Sequence, residues 1–138
     1  DMIEPPSDQS PEAILQMDIE GQEYEVLHNI SGSLLSRFRV IIIEFHRLHE
    51  LADRYSYRWM SSAFCKLLQS HAVVHIHPNN NRKSLSLHGV KIPTNMEITL
   101  LRRDYVKTVA KTLTFPHPLD TKCVTSKPDI VLPACWYA

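Results

Sequence analysis

The segment that most constrains this chain is Arg39 to Phe45, RVIIIEF. Three consecutive isoleucines abandon the alternation of a strand with one wet face, so both faces of this strand should be covered, as in a parallel sheet flanked by helices. The surrounding pattern agrees. Ala13 to Ile19 is a short apolar run that ends in acidic residues and Gly21. Tyr24, Leu27 and Ile30 then recur about one turn apart and predict a short helix that stops over Asn29 to Ser33, around Gly32. Tyr57 to His71 reads as the main helix, because Met60, Ala63, Phe64, Leu67 and Leu68 form one apolar stripe. Ala72 to Ile76 (AVVHI) is the next strand, Pro78 to Lys83 a polar loop, and Met96 to Arg102 (MEITLLR) a last strand entered after Pro93. The order β-α-β-α-β-loop-β, with no internal repeat, favours a layered α/β sheet.

The ends differ from the middle. Asp1 to Ser10 is polar and carries Pro5-Pro6, which reads as a loop. Val106 to Leu113 fits more than one element, and Phe115 to Ala138 holds Pro116, Pro118, Pro128 and Pro133, which forbid long regular elements. The apolar Ile130, Val131, Leu132, Trp136 and Tyr137 suggest an extended segment packed on the domain or on a partner. This reading divides the chain into a domain over 1–104 and a tail over 105–138.

With 138 residues there is room for one domain with a real core. Fifteen basic residues cancel fifteen acidic ones, so no net field points to nucleic acid or to an anionic membrane. No run of about 18 apolar residues supplies a membrane span, and no signal peptide is visible. The chain opens on Asp1 without an initiator Met, as a piece of a longer protein would. The cysteines Cys65, Cys123 and Cys135 are widely spaced and form no C-x-x-C pair, which argues against a zinc knuckle or a thioredoxin-like site. Cys65 lies within the helical pattern and is expected to be a buried thiol, while pairing of Cys123 with Cys135 stays open.

In an open α/β sheet ligands sit beyond the carboxyl ends of the strands. Asp18, Glu20, Glu44, His46, His75 and His77 all fall at or near such ends. Asp18 and Glu20, two apart in an extended exit, would share one side and could hold a divalent cation or orient a hydroxyl. The alternative is that Glu20 and Glu23 decorate the N-terminus of the following helix. Glu44 and His46 form a similar pair, in which the imidazole is either a general base or a hydrogen-bonded loop anchor. Alternation sends His75 and His77 to the same face. Together with Asp18 or Glu20 they would suit a transition metal, the weak candidates being Asp18, Glu20 and His77. Asn79 and Asn80, just beyond, either support the site or turn the chain. His49, His71 and His88 read as surface or packing residues, and Tyr57 and Trp59 as helix packing.

Three phrases carry a family resemblance. Gln16 to Leu27 reads QMDIEGQEYEVL and resembles the D-[IV]-E-G-x-E-x-x-x-L phrase of FkbM-type methyltransferases. Ile41 to His46, IIIEFH, is similar to the next strand of a subgroup of that family, and His75 to Asn80, HIHPNN, is followed by MEITLLRR at the family's distance. The ending PHPLD…KPDIVLP looks like the same subgroup, so the resemblance runs from about Leu15 to Pro133. It implies a partial Rossmann-like methyltransferase sheet of about four strands, the fourth to seventh of seven, with the last pair antiparallel, flanking helices and an irregular Pro-containing tail. It also implies S-adenosylmethionine as cofactor and a small-molecule or glycan hydroxyl as acceptor. Asp18 and His46 would be the catalytic, acceptor-handling residues, with Glu20, Glu44, His75, His77, Asn79 and Asn80 in support.

The family's glycine-rich turn belongs to its first half. Here the only glycines are Gly21, Gly32 and Gly89, with no G-x-G, so the cofactor-binding half is expected to be missing and activity to need that half. The rival readings are a non-catalytic interaction module that self-associates through an exposed sheet edge, and a metal-binding, hydrolase-like domain.

Overall fold

The computed structural model describes residues 13–108 and 115–137. The expected entry loop over Asp1 to Ser10 lies outside them, as does most of the ambiguous stretch Val106 to Leu113.

The domain is mixed α/β. Strand β1 (Ala13–Met17) leads into helix α1 (Glu23–Asn29) and the single turn α2 (Gly32–Leu35). Strand β2 (Phe38–Phe45) is followed by a 3-10 turn (Leu48–Ala52), helix α3 (Arg54–Ser70) and strand β3 (His71–Pro78). A hairpin of β4 (Ser84–Leu87) and β5 (Val90–Pro93) precedes β6 (Met96–Arg102). Beyond β6 the described tail is irregular apart from short 3-10 turns, as its prolines require.

The main sheet runs β1-β2-β6-β3. The two strands β1 and β2 pair in parallel, whereas β6 slots between β2 and β3 and is antiparallel to both. The isoleucine run is therefore a central strand, but of a mixed sheet. Its odd positions Ile41, Ile43 and Phe45 are buried against α1 and α3, where Phe45 meets Phe64 at 4.6 Å and Tyr24 at 5.6 Å between ring centroids. Its even positions Val40, Ile42 and Glu44 face the other way and are only partly buried. Among the described residues the cover there is tail residues such as Phe115 and Asp120, which meet His75, and not a second layer of helices.

Helix α3 starts on Asp53, whose carboxylate accepts from the N–H groups of Tyr55 and Ser56 at 2.9 Å each. These bonds, chiefly that from Ser56, hold the Asp53 carboxyl below its usual range. Met60, Ala63 and Leu67 are buried, and each large apolar side chain so placed contributes ~1.5–3 kcal/mol. Phe64 packs against the core, but Leu68 stays 39% exposed at the rim of the stripe. Cys65, one residue past the stripe, is exposed, so the expected buried thiol is not there; Cys123 and Cys135 are free and exposed as well. Tyr57 and Trp59 are also more exposed than packing residues would be, although Trp59 stacks on His28 at 5.3 Å. From α3, Lys66 donates to the carbonyls of Leu27, His28 and Ile30, which α1 leaves open at its last turn. His71 is fully buried between Ser70 and the Phe38 carbonyl.

The β4–β5 hairpin was not anticipated. Its two-residue turn, His88-Gly89, has both φ angles positive, at 47° and 81°, which suits the twist of the flanking strands. Among the described residues no helix is long and apolar enough to cross a membrane.

Candidate functional site

The carboxyl ends of the parallel pair β1 and β2 converge on one imidazole. His46 directly follows β2 and is 7% exposed. Its Nδ1 lies 2.9 Å from Oε1 of Glu23, the first residue of α1, which is fully buried. The same oxygen accepts the backbone N–H groups of Ile19 at 3.2 Å and Gly21 at 3.0 Å. One residue on, the Tyr24 hydroxyl donates to the His46 carbonyl at 3.0 Å. Burial, reinforced by the Glu23 and Glu50 carboxylates, raises the Tyr24 phenol far above its ordinary range, so it is a permanent donor. The first turn of α1 thus fixes His46 by ring and by backbone together.

The other ring nitrogen looks outward. Nε2 of His46 is 3.5 Å from Oε2 of Glu20 and 3.8 Å from Oδ1 of Asp18, both on exposed carboxylates. Asp18 and Glu20 share one side, as their spacing suggests, but not through an extended exit. Glu20 sits at φ 58° and Gly21 at φ 108°, a tight left-handed turn from β1 into α1. The left-handed backbone strains a residue with a Cβ, and Glu23 offsets that strain by accepting both N–H groups that bracket the turn. A side chain at Gly21 would also meet the Arg47 side chain at 3.2 Å. Arg47 itself is held by Glu50, at 2.8 Å through Nε and 2.6 Å through Nη2.

One ligand atom from each of Asp18, Glu44 and His46 lies within 4.8 Å of the others. Glu44 is oriented by Asn79, whose Nδ2 donates to it at 2.8 Å. Glu44 also begins a polar row across the sheet, since the register pairs it with Glu97 and pairs Glu97 with His77. With Asn79, Thr121 and Cys123 this row lines a cleft of about 210 Å³. The buried Nε2 of His77 has no hydrogen-bond partner there.

The remaining sequence candidates do different work. His75 shares the face of His77 but is bound to Asp120 at 2.8 Å. Asn80, 5% exposed, donates to the carbonyls of Val124, Lys127 and Pro128 and accepts the Val124 N–H, so it pins the tail. Of the cation candidates Asp18, Glu20 and His77, only Asp18 belongs to the compact cluster; Glu44 and His46 complete it. The residue that sequence reasoning passed over is Glu23. Its position in the first turn of a short helix reads as a dipole partner, and nothing local shows that His46, far along the chain, would close on it.

The three glycines differ in their surroundings. Gly21 is occupied by the turn and by Arg47, and a Cβ at Gly32 or Gly89 would meet nothing within 4 Å.

No curated protein and no solved structure matches the chain. A family model described as the methyltransferase FkbM domain matches residues 3–62 and ends inside α3, short of HIHPNN and of the tail. The two phrases around the converging strand ends, QMDIEGQEYEVL and IIIEFH, lie wholly within that match.

Proposed function

We propose that this chain forms the acceptor side of an S-adenosylmethionine-dependent O-methyltransferase, and that its sheet is the fourth-to-seventh-strand portion of a Rossmann-like methyltransferase sheet. The observation that carries the reading is the convergence of Asp18, Glu20 and Glu44 on an imidazole fixed by Glu23, at the strand ends where an α/β sheet takes its ligand. Methyl transfer to a hydroxyl needs the oxygen held in line and relieved of its proton. Asp18 and His46 hold that oxygen, and Glu20 stands at the rim. Glu44 and Asn79 form the wall toward the cleft, His77 lines it, and His75 and Asn80 keep the tail in place beside it. The acceptor is a small molecule or glycan hydroxyl. When bound, S-adenosylmethionine supplies an electrophilic methyl group; its seat is assigned to none of the described residues.

The test is transfer of labelled methyl from S-adenosylmethionine to a panel of hydroxylated small molecules and glycans. The protein should be expressed from its complete reading frame. Asp18→Asn and His46→Gln should each lower transfer by about 100-fold or more with the fold intact, the scale of a lost acid–base or orienting group. Full activity in both variants would end the reading. For the 138-residue chain alone, calorimetry should show no tight uptake of S-adenosylmethionine, and micromolar binding would contradict the assignment.

A second reading has one observation in its favour. Among the described residues β1 pairs on one side only, and Ile14 on it is 67% exposed. An open edge of this kind favours self-association. Sedimentation at increasing concentration separates the two, because a strict monomer removes the edge-pairing module.

A further inference from the structure

We propose that Asp18, Glu44 and His46 hold a divalent cation. This deepens the reading of the cluster as the acceptor site and rests on it for the role of the ion, but not for its binding.

The argument begins with the proton on His46. An ionised carboxylate only accepts hydrogen bonds, so the contact from Glu23 Oε1 at 2.9 Å puts the ring proton on Nδ1. Nε2 is the ring nitrogen left facing outward. It makes no hydrogen bond among the described residues, and what faces it is negative: Glu20 at 3.5 Å and Asp18 at 3.8 Å. This outward nitrogen and the two carboxylates are gathered around a side chain more than nine-tenths buried. The one nearby cation on the loop, Arg47, is engaged by Glu50. A cation between that nitrogen and the carboxylates would meet an oxygen or nitrogen ligand atom from each of Asp18, Glu44 and His46.

Cation–ligand bonds of ~2.0–2.2 Å span up to ~4.4 Å between opposed ligand atoms. The three ligand atoms already lie within 4.8 Å of one another, so a small side-chain adjustment closes the set. Two of the three ligands carry the outer partners that metal ligands need. Glu23 orients His46 in the carboxylate–histidine arrangement, and Asn79 orients Glu44. Two carboxylate oxygens and one imidazole nitrogen with open positions suit Mn²⁺, and Mg²⁺ more weakly.

Glu20, with Oε2 3.5 Å from Nε2 of His46, stands beside the cluster. An acceptor hydroxyl bound there becomes more acidic. Its O–H bond breaks with the electron pair left on the cation-bound oxygen, and the proton passes to the Glu20 carboxylate. Glu20 is thus a proton acceptor and not a ligand, which gives its strained backbone a purpose.

The experiment is Mn²⁺ titration of chelator-stripped full chain, followed by calorimetry and by electron paramagnetic resonance. One ion per chain is expected, with a nitrogen coupling from imidazole in the spin-echo spectrum. Asp18→Asn and Glu44→Gln should each weaken binding at least tenfold, Glu23→Gln by about 10–100-fold as outer-partner losses do, and His46→Gln should abolish the nitrogen coupling. Asp18 is exposed, so its variant tests the site without threatening the fold. Absence of binding at millimolar Mn²⁺, or equal binding by wild type and Asp18→Asn, overturns the cation site. Either result leaves the methyl-transfer assay free to stand or fall by itself.

Discussion

The two faces of the sheet are built on different principles. Toward the helices, Ile41, Ile43, Phe45, Met96, Ile98 and Leu100 form a closed apolar layer under Tyr24, Leu27 and Leu67. Toward the tail, the same strands present Glu44, Glu97, His75 and His77, and the tail is fastened by polar bonds to Asp120 and by Asn80. Non-directional burial makes the first face tolerant of approximate shape but intolerant of lost volume. The second depends on individual donors and acceptors, so it can house chemistry and lets go piece by piece. Central strand β2 belongs to both faces, which is why one residue step from Phe45 to Glu44 passes from core to site.

This contrast can be broken most sharply at Phe45. Phe45→Ala leaves a cavity in the helix face and should cost ~3–5 kcal/mol, read as a large loss of denaturant midpoint with all probes moving together. Asn80→Ala attacks the polar face. It strips partners from the Val124 N–H and three carbonyls and should cost ~1–3 kcal/mol. Limited proteolysis should then cut the tail while β1–β6 survive; a cooperative loss of the whole domain would show that the two faces are not separable in this way.

The smallest effect belongs to Asp53, the fully exposed cap of α3. Asp53→Ala should lower the melting temperature slightly at neutral pH. Because hydrogen bonding holds the folded carboxyl below its usual 3.8, its contribution is complete above that value and fades as the pH falls through the folded value. The gap between wild type and variant should therefore close in acid. A gap that widened in acid would mean the cap is not what the carboxylate provides.

What could be read in advance follows the same division. The apolar face was legible because burial leaves a periodic trace: the isoleucines of β2 and the stripe Met60, Ala63, Leu67 needed no knowledge of partners. The positions of Asp18, Glu44 and His46 at strand ends were legible too, since they follow from where strands stop. Their assembly was not. Alternation cannot foresee a left-handed turn at Glu20, and no local signal links Glu23 to His46 across the intervening helices and strand. Cys65 is exposed and not buried because one step along a helix turns a side chain by about 100°, from stripe to solvent. The β4–β5 hairpin did leave a signal, alternating Ser-Leu-Ser-Leu before His88-Gly89, but it is short and lies on a polar, exposed stretch.

The place of β6 has a consequence for how the chain acquires its shape. The strand that bridges β2 and β3 is the last of the sheet to leave the ribosome, so Ile43 cannot meet Ile98, nor Ile76 meet Ile98, until nearly everything before them has been made. Local pieces such as α3 can form early, but the sheet closes late, on contacts of long sequence separation whose loop entropy must be met first. Until β6 arrives, β2 and β3 each keep an open edge, and the nascent chain spends that interval with one side of its most apolar strand unpaired.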